Sequence, residues 1–255
     1  MTTSSIRTEN LTIRFGGHAA VHNVSCAFHP GELTVIVGPN GAGKTTWFNL
    51  VSGQLTATEG RIFKGEQDIS ALSPSARAKA GIGRAFQLTN LFPKLTVLEN
   101  VRLAVQAKAG QGPHIFKRAA AMTEIRDKAF HFVEATRLSA VAHLPAAALP
   151  HGDQRKLEVA LLAAMEPDIF MFDEPTAGMS VDEAPVILEL IADIKKDRSK
   201  TILLVEHKMD VVRALADRIV VLHNGELIAD GKPTEVMALP IVRDIYLGIG
   251  TEEVA

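Results

Sequence analysis

Short apolar runs recur along the chain, and segments with helical periodicity separate them. Four continuous apolar runs have the character of strands buried on both faces of a parallel sheet, and they span residues 33–37, 169–172, 202–205 and 219–222. Helical patterns fill most of the intervals, over residues 44–52, 117–136, 153–165, 183–196 and 208–216. This alternation predicts an α/β fold in which a mostly parallel sheet carries helices on both faces.

The beginning and the middle of the chain depart from this alternation. Residues 6–37 contain three strand candidates with no helix between them, which predicts an N-terminal antiparallel β subdomain beside the parallel core. Residues 97–165 are mostly helical and indicate an inserted helical subdomain. Asn224-Gly225 lies between two apolar runs, as in a hairpin turn. We expect a single domain over residues 1–255.

Composition narrows the class of protein without giving an activity. Hydrophobic residues make up 47% of the 255 residues and charged residues 22%, which excludes a disordered chain. No apolar run approaches the roughly 18–20 residues that span a bilayer, and residues 1–10 lack an apolar signal-peptide core. The single cysteine, Cys26, fits a reducing compartment, and the formal charge of -2 predicts no general attraction to nucleic acid. We therefore expect a soluble, cytoplasmic protein.

A glycine-rich segment directly after the apolar run 33–37 matches the pattern G-x-x-x-x-G-K-[ST]. Its residues are Gly38, Pro39, Asn40, Gly41, Ala42, Gly43, Lys44 and Thr45. Glycines let the backbone approach phosphate oxygens closely, and the N–H groups at a helix N-terminus attract anions. Lys44 is placed to reach the β- and γ-phosphates, and the Thr45 hydroxyl to bind Mg²⁺. The segment therefore predicts nucleotide binding rather than an ordinary glycine-rich turn.

Two acids, Asp173 and Glu174, follow the apolar run 169–172. In a chain that also has a phosphate loop, Asp173 is placed to hold Mg²⁺, directly or through water. Glu174 then extends toward the γ-phosphate, where a carboxylate can polarise an attacking water. Phosphoryl transfer needs neutralised phosphate charge and an oriented nucleophile, and Lys44, Thr45 and these two acids supply both.

The segment Asp173-Glu174-Pro175-Thr176, together with Val205-Glu206-His207 after the next strand, resembles the ABC-type ATPase family. The resemblance spans nearly the whole chain. It implies a P-loop NTPase core with the antiparallel and helical subdomains already described. It also implies ATP and Mg²⁺ as cofactors.

The resemblance gives further residues a role around the nucleotide. Phe15 corresponds to an aromatic that stacks on adenine, although a core position in an edge strand fits Phe15 equally well. His207 corresponds to the switch histidine that contacts the γ-phosphate. Gln87 corresponds to a glutamine that touches Mg²⁺ and couples to the transport subunit. Thr46 completes the nucleotide-binding loop.

The signature motif of the family reads Leu-Ser-Gly-Gly-Gln, and the matching stretch here is Leu149-Pro150-His151-Gly152-Asp153, followed by Gln154. The resemblance implies that Gly152, Asp153 and Gln154 reach the ATP of an opposing subunit, so that two ATPase subunits enclose two nucleotides. Pro150 replaces the serine, and one lost hydrogen bond to a charged group is worth about 1.5–3 kcal/mol. Either hydrolysis is reduced, or a partner subunit carries a signature motif closer to the family pattern and one composite site does most of the hydrolysis.

A second departure follows the acids. Ser180 stands where the family often has an aspartate, and Asp182 comes two residues later. Neither residue is assigned a role.

Within the family, the chain is most similar to ATP-binding subunits of branched-chain amino acid importers. The stretches that carry this similarity are Phe15-Gly16-Gly17, residues 80–87, residues 95–101, residues 231–236 and residues 244–248. Residues from about 232 to 250 form the family tail. Importers of urea, amides and other polar or aromatic solutes share these features. The resemblance names no solute-binding residue, because in this family the solute does not touch the ATPase.

The resemblance implies a motor subunit on the inner face of the cell membrane. Its partners would be a second ATP-binding subunit, identical or different, the transmembrane permease subunits and, indirectly, a solute-binding protein. The slight negative charge gives no general attraction to anionic lipid, so attachment should depend on Gln87 and residues 88–101. Leu91-Phe92-Pro93 and Leu95 are candidates for an apolar permease contact or for a packed hinge.

Three alternatives stay open. The first is a soluble ABC-type ATPase that acts on DNA or ribosomes; one ATPase unit, one cysteine and a charge of -2 count against it. The second is a small-molecule kinase or GTPase, and the chain lacks the Asn-Lys-x-Asp motif expected of a GTPase. The third is a weakly hydrolysing regulatory subunit, which Pro150 suggests.

Overall fold

The structure is a computed structural model that describes residues 4–85, 91–109 and 119–247. Its ten strands form two sheets within the described residues. The first is antiparallel, and it has the order β2 (His18–Phe28), β1 (Ile6–Phe15), β4 (Glu59–Lys64) and β5 (Gln67–Asp68). The second has the order β10 (Glu226–Gly231), β9 (Arg218–His223), β3 (Leu33–Val37), β8 (Thr201–Val205), β7 (Ile169–Asp173) and β6 (Ile82–Ala85).

The second sheet is mostly parallel, as the sequence predicts. Strand β3 pairs in parallel with β8 and β9, and β7 pairs in parallel with β8. Strand β10 returns antiparallel to β9 through Asn224-Gly225, both of which have positive φ, so the hairpin prediction is confirmed.

Nine α-helices accompany the sheets in the described residues. They are α1 (Lys44–Ser52), α2 (Pro74–Lys79), α3 (Val97–Lys108), α4 (Ala119–Ala135), α5 (His151–Ala164), α6 (Ala184–Lys196), α7 (Met209–Leu215), α8 (Pro233–Val236) and α9 (Pro240–Leu247). Short 3₁₀ turns occupy Ser139–Val141 and Ala146–Ala148. None of the described helices is long and apolar enough to cross a membrane.

The three strands predicted within residues 6–37 divide between the two sheets. β1 and β2 belong to the antiparallel sheet, and β3 lies inside the parallel sheet, as its continuous apolar run predicts. All five residues of β3 are buried, as expected for a strand covered on both faces. The third antiparallel strand is β4, a polar segment in which only Ile62 is fully buried, and the apolar pattern does not reveal it.

The described chain forms two compact units, and each has its own apolar core. The first unit contains the chain up to Ile82, Asp168–Glu174 and the chain from Lys195 onward. Its core combines the inner faces of strands from both sheets with Trp47 and Phe48 of α1. The second unit contains Gly83–Pro167 and Pro175–Ile194, and its core lies among α3, α4 and α5.

A buried arginine anchors the C-terminal end of α1. Arg77 of α2 is 2% exposed, and its guanidinium donates hydrogen bonds to the carbonyl oxygens of Leu50 (2.6 Å) and Val51 (2.8 Å) in the last turn of α1. It also donates to the carbonyls of Ser70 and Leu72. A cation at this position stabilises the negative end of the helix dipole. Helix α1 is therefore fixed at the end opposite to the glycine-rich segment.

Candidate functional site

The glycine-rich segment forms the loop between β3 and α1, in the first unit. Gly38 and Gly43 both have positive φ, at 151° and 95°. A Cβ at Gly38 would lie 2.1 Å from the carbonyl oxygen of Leu222, and one at Gly43 would lie 2.5 Å from that of Ala20. Backbone atoms cannot move aside as a flexible side chain can. The loop therefore requires glycine at these two positions for steric as well as conformational reasons.

Lys44 holds its ammonium group inside the loop. Its Nζ donates hydrogen bonds to the carbonyl oxygens of Gly38 (2.6 Å) and Pro39 (2.9 Å). Burial lowers the pKa of Lys44, while the negative charges of Glu174 and Asp173 act in the opposite direction. The loop cation and the acidic pair therefore share one electrostatic environment.

The predicted site residues of the first unit follow three neighbouring parallel strands. The glycine loop follows β3, His207 follows β8, and Asp173 and Glu174 end and follow β7. The carboxyl ends of parallel strands meet at the same edge of a sheet, where open α/β folds bind their ligands. The sheet order therefore brings together residues that are far apart in sequence.

Asp173 and Glu174 differ in burial and backbone conformation. Asp173 is buried at 4% exposure. Glu174 has a φ of 49°, in the left-handed region that side chains other than glycine rarely adopt, and its N–H donates to the carbonyl of Val205 (3.0 Å). Strain of this kind persists where the surroundings fix it, and it is frequent at active sites.

His207 lies beside the second acid. Its Nδ1 is 3.8 Å from Oε1 of Glu174, and its side chain is exposed. The buried Glu206 accepts hydrogen bonds through Oε2 from the backbone N–H groups of His207 (2.9 Å) and Lys208 (3.2 Å). Glu206 thus fixes the backbone that carries His207. The sequence analysis gave Glu206 no role, because the Val-Glu-His segment alone does not show which way its carboxylate turns.

The hairpin that joins β9 and β10 also contacts the glycine loop. The carbonyl of Leu222 lies against Gly38, and the N–H of Gly225 donates to the carbonyl of Ala42 (3.1 Å). The sequence predicts the turn but not this contact, because tertiary packing leaves no local pattern.

Phe15 lies at the end of β1, where a two-residue turn, Gly16-Gly17, leads into β2. Its side chain is 52% exposed. This exposure excludes the interpretation of Phe15 as a buried core residue of an edge strand. The ring is available to a planar ligand.

The predicted signature residues belong to the second unit. Gly152, Asp153 and Gln154 lie in the first turn of α5, after the N-cap Pro150, which makes no side-chain capping hydrogen bond. Asp153 Oδ1 is 2.8 Å from Lys156 Nζ, and Gln154 Nε2 donates to the carbonyl of Leu149 (2.9 Å).

Glu183, which the sequence analysis did not single out, lies against this helix start. A Cβ built at Gly152 would lie 2.2 Å from its Oε1. The same carboxylate accepts hydrogen bonds from the N–H (3.1 Å) and hydroxyl (3.0 Å) of Ser180. Ser180 therefore has a structural contact, with the carboxylate three residues further along the chain.

Gln87 lies outside the described residues, as do its neighbours at 86 and 88–90. In the second unit, the buried Asn100 holds the segment after them: its Oδ1 accepts from the N–H of Phe92 (2.8 Å), and its Nδ2 donates to the carbonyls of Phe92, Leu95 and Thr96. The Phe92 and Leu95 side chains are nevertheless exposed.

A mostly parallel sheet with a lysine-bearing glycine loop and an acidic pair at one edge defines a P-loop nucleoside triphosphatase. The sequence profile of the ABC transporter family matches residues 21–177. The chain belongs to this family, and it is the ATP-binding subunit of an ABC transporter.

Several curated relatives match over almost their whole length. The high-affinity branched-chain amino acid transport ATP-binding protein LivG of Escherichia coli K12 is 39% identical, covering 93% of this chain and 95% of the relative. BraF of Pseudomonas aeruginosa, with the same description, is 35% identical, covering 95% and 97%.

Solved structures show the same fold. A nucleotide-free ATP-binding cassette from an ABC transporter superposes with a TM-score of 0.79 at 30% identity, covering 96% of this chain and 99% of that one. A dimeric cassette in a post-hydrolysis state, bound to ADP and phosphate, superposes with a TM-score of 0.76 at 27% identity, covering 89% and 98%.

Proposed function

We propose that the chain hydrolyses Mg²⁺-ATP to drive the import of branched-chain amino acids, or of a closely related amino acid or amide, through a membrane permease. One observation supports the reaction most strongly. The glycine loop with Lys44, the pair Asp173 and Glu174, and His207 follow three neighbouring strands of one sheet within one compact unit. The solute class rests on the LivG and BraF relatives.

The phosphate end of the nucleotide would bind to the loop from Gly38 to Thr46. The backbone N–H groups at the start of α1 and the Lys44 ammonium attract the phosphate oxygens. In the structure that ammonium bonds to the carbonyls of Gly38 and Pro39, so a phosphate would add to or replace these contacts.

Asp173 and Thr45 have the chemistry that Mg²⁺ prefers, because both offer oxygen ligands. When bound, the metal neutralises charge on the β- and γ-phosphates. Gln87 is proposed as a third ligand, on the family resemblance alone.

Glu174 is proposed to accept the proton of the attacking water, and His207 to contact the γ-phosphate. The 3.8 Å separation of the two side chains lets both reach the same small volume. A carboxylate base at this position contributes typically 10²–10⁴-fold to the rate. Glu206 holds the backbone of His207 and thereby positions its imidazole.

The adenine would stack on Phe15, whose exposed ring stands at the β1–β2 turn. Gly152, Asp153 and Gln154 would face the ATP of a second ATP-binding subunit. A solved cassette relative is described as dimeric with ADP and phosphate, which supports pairing of two such subunits. The permease would bind near Phe92 and Leu95, and this contact would hold the chain at the inner face of the membrane.

Uptake of radiolabelled leucine, isoleucine and valine by cells that lack the chain tests the proposal. The wild-type gene should restore uptake of at least one of them, whereas Glu174→Gln should not, at equal protein level. Labelled urea and an aromatic amino acid serve as solute controls. Restored uptake of a control solute alone would reject the branched-chain assignment, and restoration by Glu174→Gln would reject ATP hydrolysis as the driving step.

A further inference from the structure

The hairpin between β9 and β10 meets the glycine loop at Gly225. The N–H of Gly225 donates to the carbonyl oxygen of Ala42 in the loop (3.1 Å). Its own carbonyl oxygen accepts a hydrogen bond from the N–H of His22 in β2 (2.8 Å). This residue therefore ties the glycine loop to a strand of the antiparallel sheet, through backbone atoms alone.

Gly225 fits against the loop because it has no side chain. Its φ is 80°, in the left-handed region, and a Cβ there would lie 2.9 Å from the carbonyl oxygen of Ala20. A Cβ at Gly43 would lie 2.5 Å from the same oxygen and 3.3 Å from Cα of Gly225. The two glycines therefore let the backbones of the hairpin, β2 and the glycine loop meet at one point.

The bond to Ala42 determines which way the next peptide faces. In a planar trans peptide, the C=O and the N–H point in opposite directions. The carbonyl of Ala42 and the N–H of Gly43 belong to one peptide, so a carbonyl that the hairpin holds leaves this N–H directed away from the hairpin. Glycine adopts positive and negative φ almost equally well, so the backbone of Gly43 by itself does not fix this orientation.

The orientation of this peptide matters because it lies at the start of α1. Gly43 is the N-cap of α1, and its carbonyl accepts the helical hydrogen bond from the N–H of Trp47 (2.8 Å). N–H groups at a helix start attract phosphate oxygens. If the peptide turned over, the Ala42 carbonyl would replace the Gly43 N–H there and repel a phosphate.

Contacts on both sides of Gly225 hold the hairpin. Oε1 of Glu226, the next residue, is 2.9 Å from Nδ1 of His22. Asn224, the preceding residue, has a φ of 48°, and its Nδ2 is 3.2 Å from Nε2 of His223. The N–H of Gly225 is therefore held in place by its neighbours in the hairpin and in β2.

We propose that Gly225 is a positioning residue for triphosphate binding: its N–H holds the Ala42 carbonyl away from the phosphates and so keeps the Gly43 N–H turned toward them. This inference rests on the proposed ATP site. Gly225 acts through the loop backbone and does not itself touch the nucleotide, so its effect belongs to the phosphates and not to the base.

Calorimetric titration of the full chain with ATP and with tripolyphosphate, both with Mg²⁺, tests the proposal. Gly225→Ala should weaken the binding of both by the same factor, about five- to tenfold, because the added Cβ displaces the N–H from Ala42 and tripolyphosphate has no base. The KM for ATP should rise with kcat at saturating ATP nearly unchanged, as when a ground-state binding contact is lost.

Gly31→Ala is the matched control. Gly31 has a φ of 82°, and a Cβ there would lie 3.1 Å from the backbone carbonyl oxygen of Arg198. The strain is therefore similar, but Gly31 precedes β3, whereas the glycine loop follows it at the opposite end of the strand. Gly31→Ala should lower the free energy of unfolding about as much as Gly225→Ala and leave both affinities at the wild-type value.

Amide hydrogen exchange of the ¹⁵N-labelled wild-type chain provides a second measurement that needs no variant. The Gly225 amide should be protected from exchange with and without tripolyphosphate, because its hydrogen bond to Ala42 does not depend on a ligand. The Gly43 amide should gain protection when tripolyphosphate binds. A Gly225 amide that exchanges freely would overturn the proposal even if Gly225→Ala does not fold.

Three results of the titration would also overturn it: wild-type affinities in Gly225→Ala, equal losses in Gly225→Ala and Gly31→Ala, or weakening of ATP without weakening of tripolyphosphate. In each of these cases the wild-type chain still binds ATP, so only the role of Gly225 fails. A wild-type chain that binds neither ATP nor tripolyphosphate would reject the proposed function itself.

Discussion

At the scale of single residues, the site combines a strained backbone with buried charged side chains, and both are unfavourable to the free energy of folding. Glu174 has left-handed backbone, Lys44 is buried at 8% exposure, and Glu206 is buried at 1%. Each is offset by a specific contact: a backbone hydrogen bond for Glu174, loop carbonyls for Lys44, and two backbone N–H groups for Glu206. Costly groups that are held in this way are frequent at functional sites.

Substitution of Glu174 by Gln keeps the shape of the side chain and removes its basicity. We expect steady-state ATP hydrolysis to fall about 10²–10⁴-fold, with ATP affinity retained and an ATP-bound dimer accumulating. Turnover is measured by phosphate release and dimer formation by size-exclusion chromatography. Near-normal turnover would show that another group activates the water.

Cys26 provides a pH-dependent prediction that is independent of nucleotide. Burial, followed by the charge of Asp230, raises the pKa of the Cys26 thiol from 9.0 to about 12. The unfolded chain therefore loses this proton first, and stability falls as the pH rises from about 9 toward 12. At a pH of about 10.5 the loss should be about 1–2 kcal/mol relative to pH 8.

Urea unfolding at the two pH values measures this loss. Cys26→Ala should lose less stability between them than the wild type, whatever its stability at pH 8. Equal losses in the two proteins would mean that other groups cause the alkaline destabilisation.

At the scale of elements, α1 is fixed at both ends by features that lie far apart in sequence. Gly43 precedes its first turn, and Arg77 binds the carbonyls of its last turn. The boundaries of α1 and β3 match the sequence prediction, because an apolar run and a glycine motif are local signals. Arg77 could not be foreseen, since a buried arginine contradicts the usual burial preference. Strand β4 could not be foreseen because it is mostly polar.

Arg77→Met keeps an apolar stem and removes the donors to four carbonyls. We expect the free energy of unfolding to fall by about 3–5 kcal/mol, because several buried acceptors lose their partners. Lys79→Met, on the exposed side of the same helix, should change it by less than about 0.5 kcal/mol. Urea denaturation gives both values. Similar small changes in the two variants would show that water replaces the guanidinium without cost.

Helix α5 begins without a side-chain cap, because Pro150 has no hydroxyl. Pro150→Ser should stabilise the protein by about 0.5–1 kcal/mol and raise ATP turnover in a homodimer. Pro150→Ala is the control, since it removes the ring without adding a cap. Urea unfolding and phosphate release report the two effects. Unchanged turnover would show either that Pro150 is neutral or that a partner subunit supplies the working signature.

At the scale of the whole molecule, the described chain is two compact units, and the proposed site residues are divided between them. The loop, the acidic pair and His207 belong to the first unit, and the α5 start, Phe92 and Leu95 to the second. The sequence indicates this helical region at residues 97–165, whereas the second unit runs from Gly83 to Pro167 and also includes Pro175–Ile194. Contacts such as Glu183 against Gly152 depend on that tertiary grouping and leave no periodic signal.

ATP hydrolysis in proteoliposomes that contain the chain, its permease and its second ATP-binding subunit tests the proposed function most directly. Addition of leucine-loaded solute-binding protein should stimulate hydrolysis and produce leucine uptake, and Phe92→Asp should abolish the stimulation while leaving ATP binding intact. Hydrolysis that is unaffected by the permease and the loaded binding protein would contradict the conclusion that this chain powers solute import.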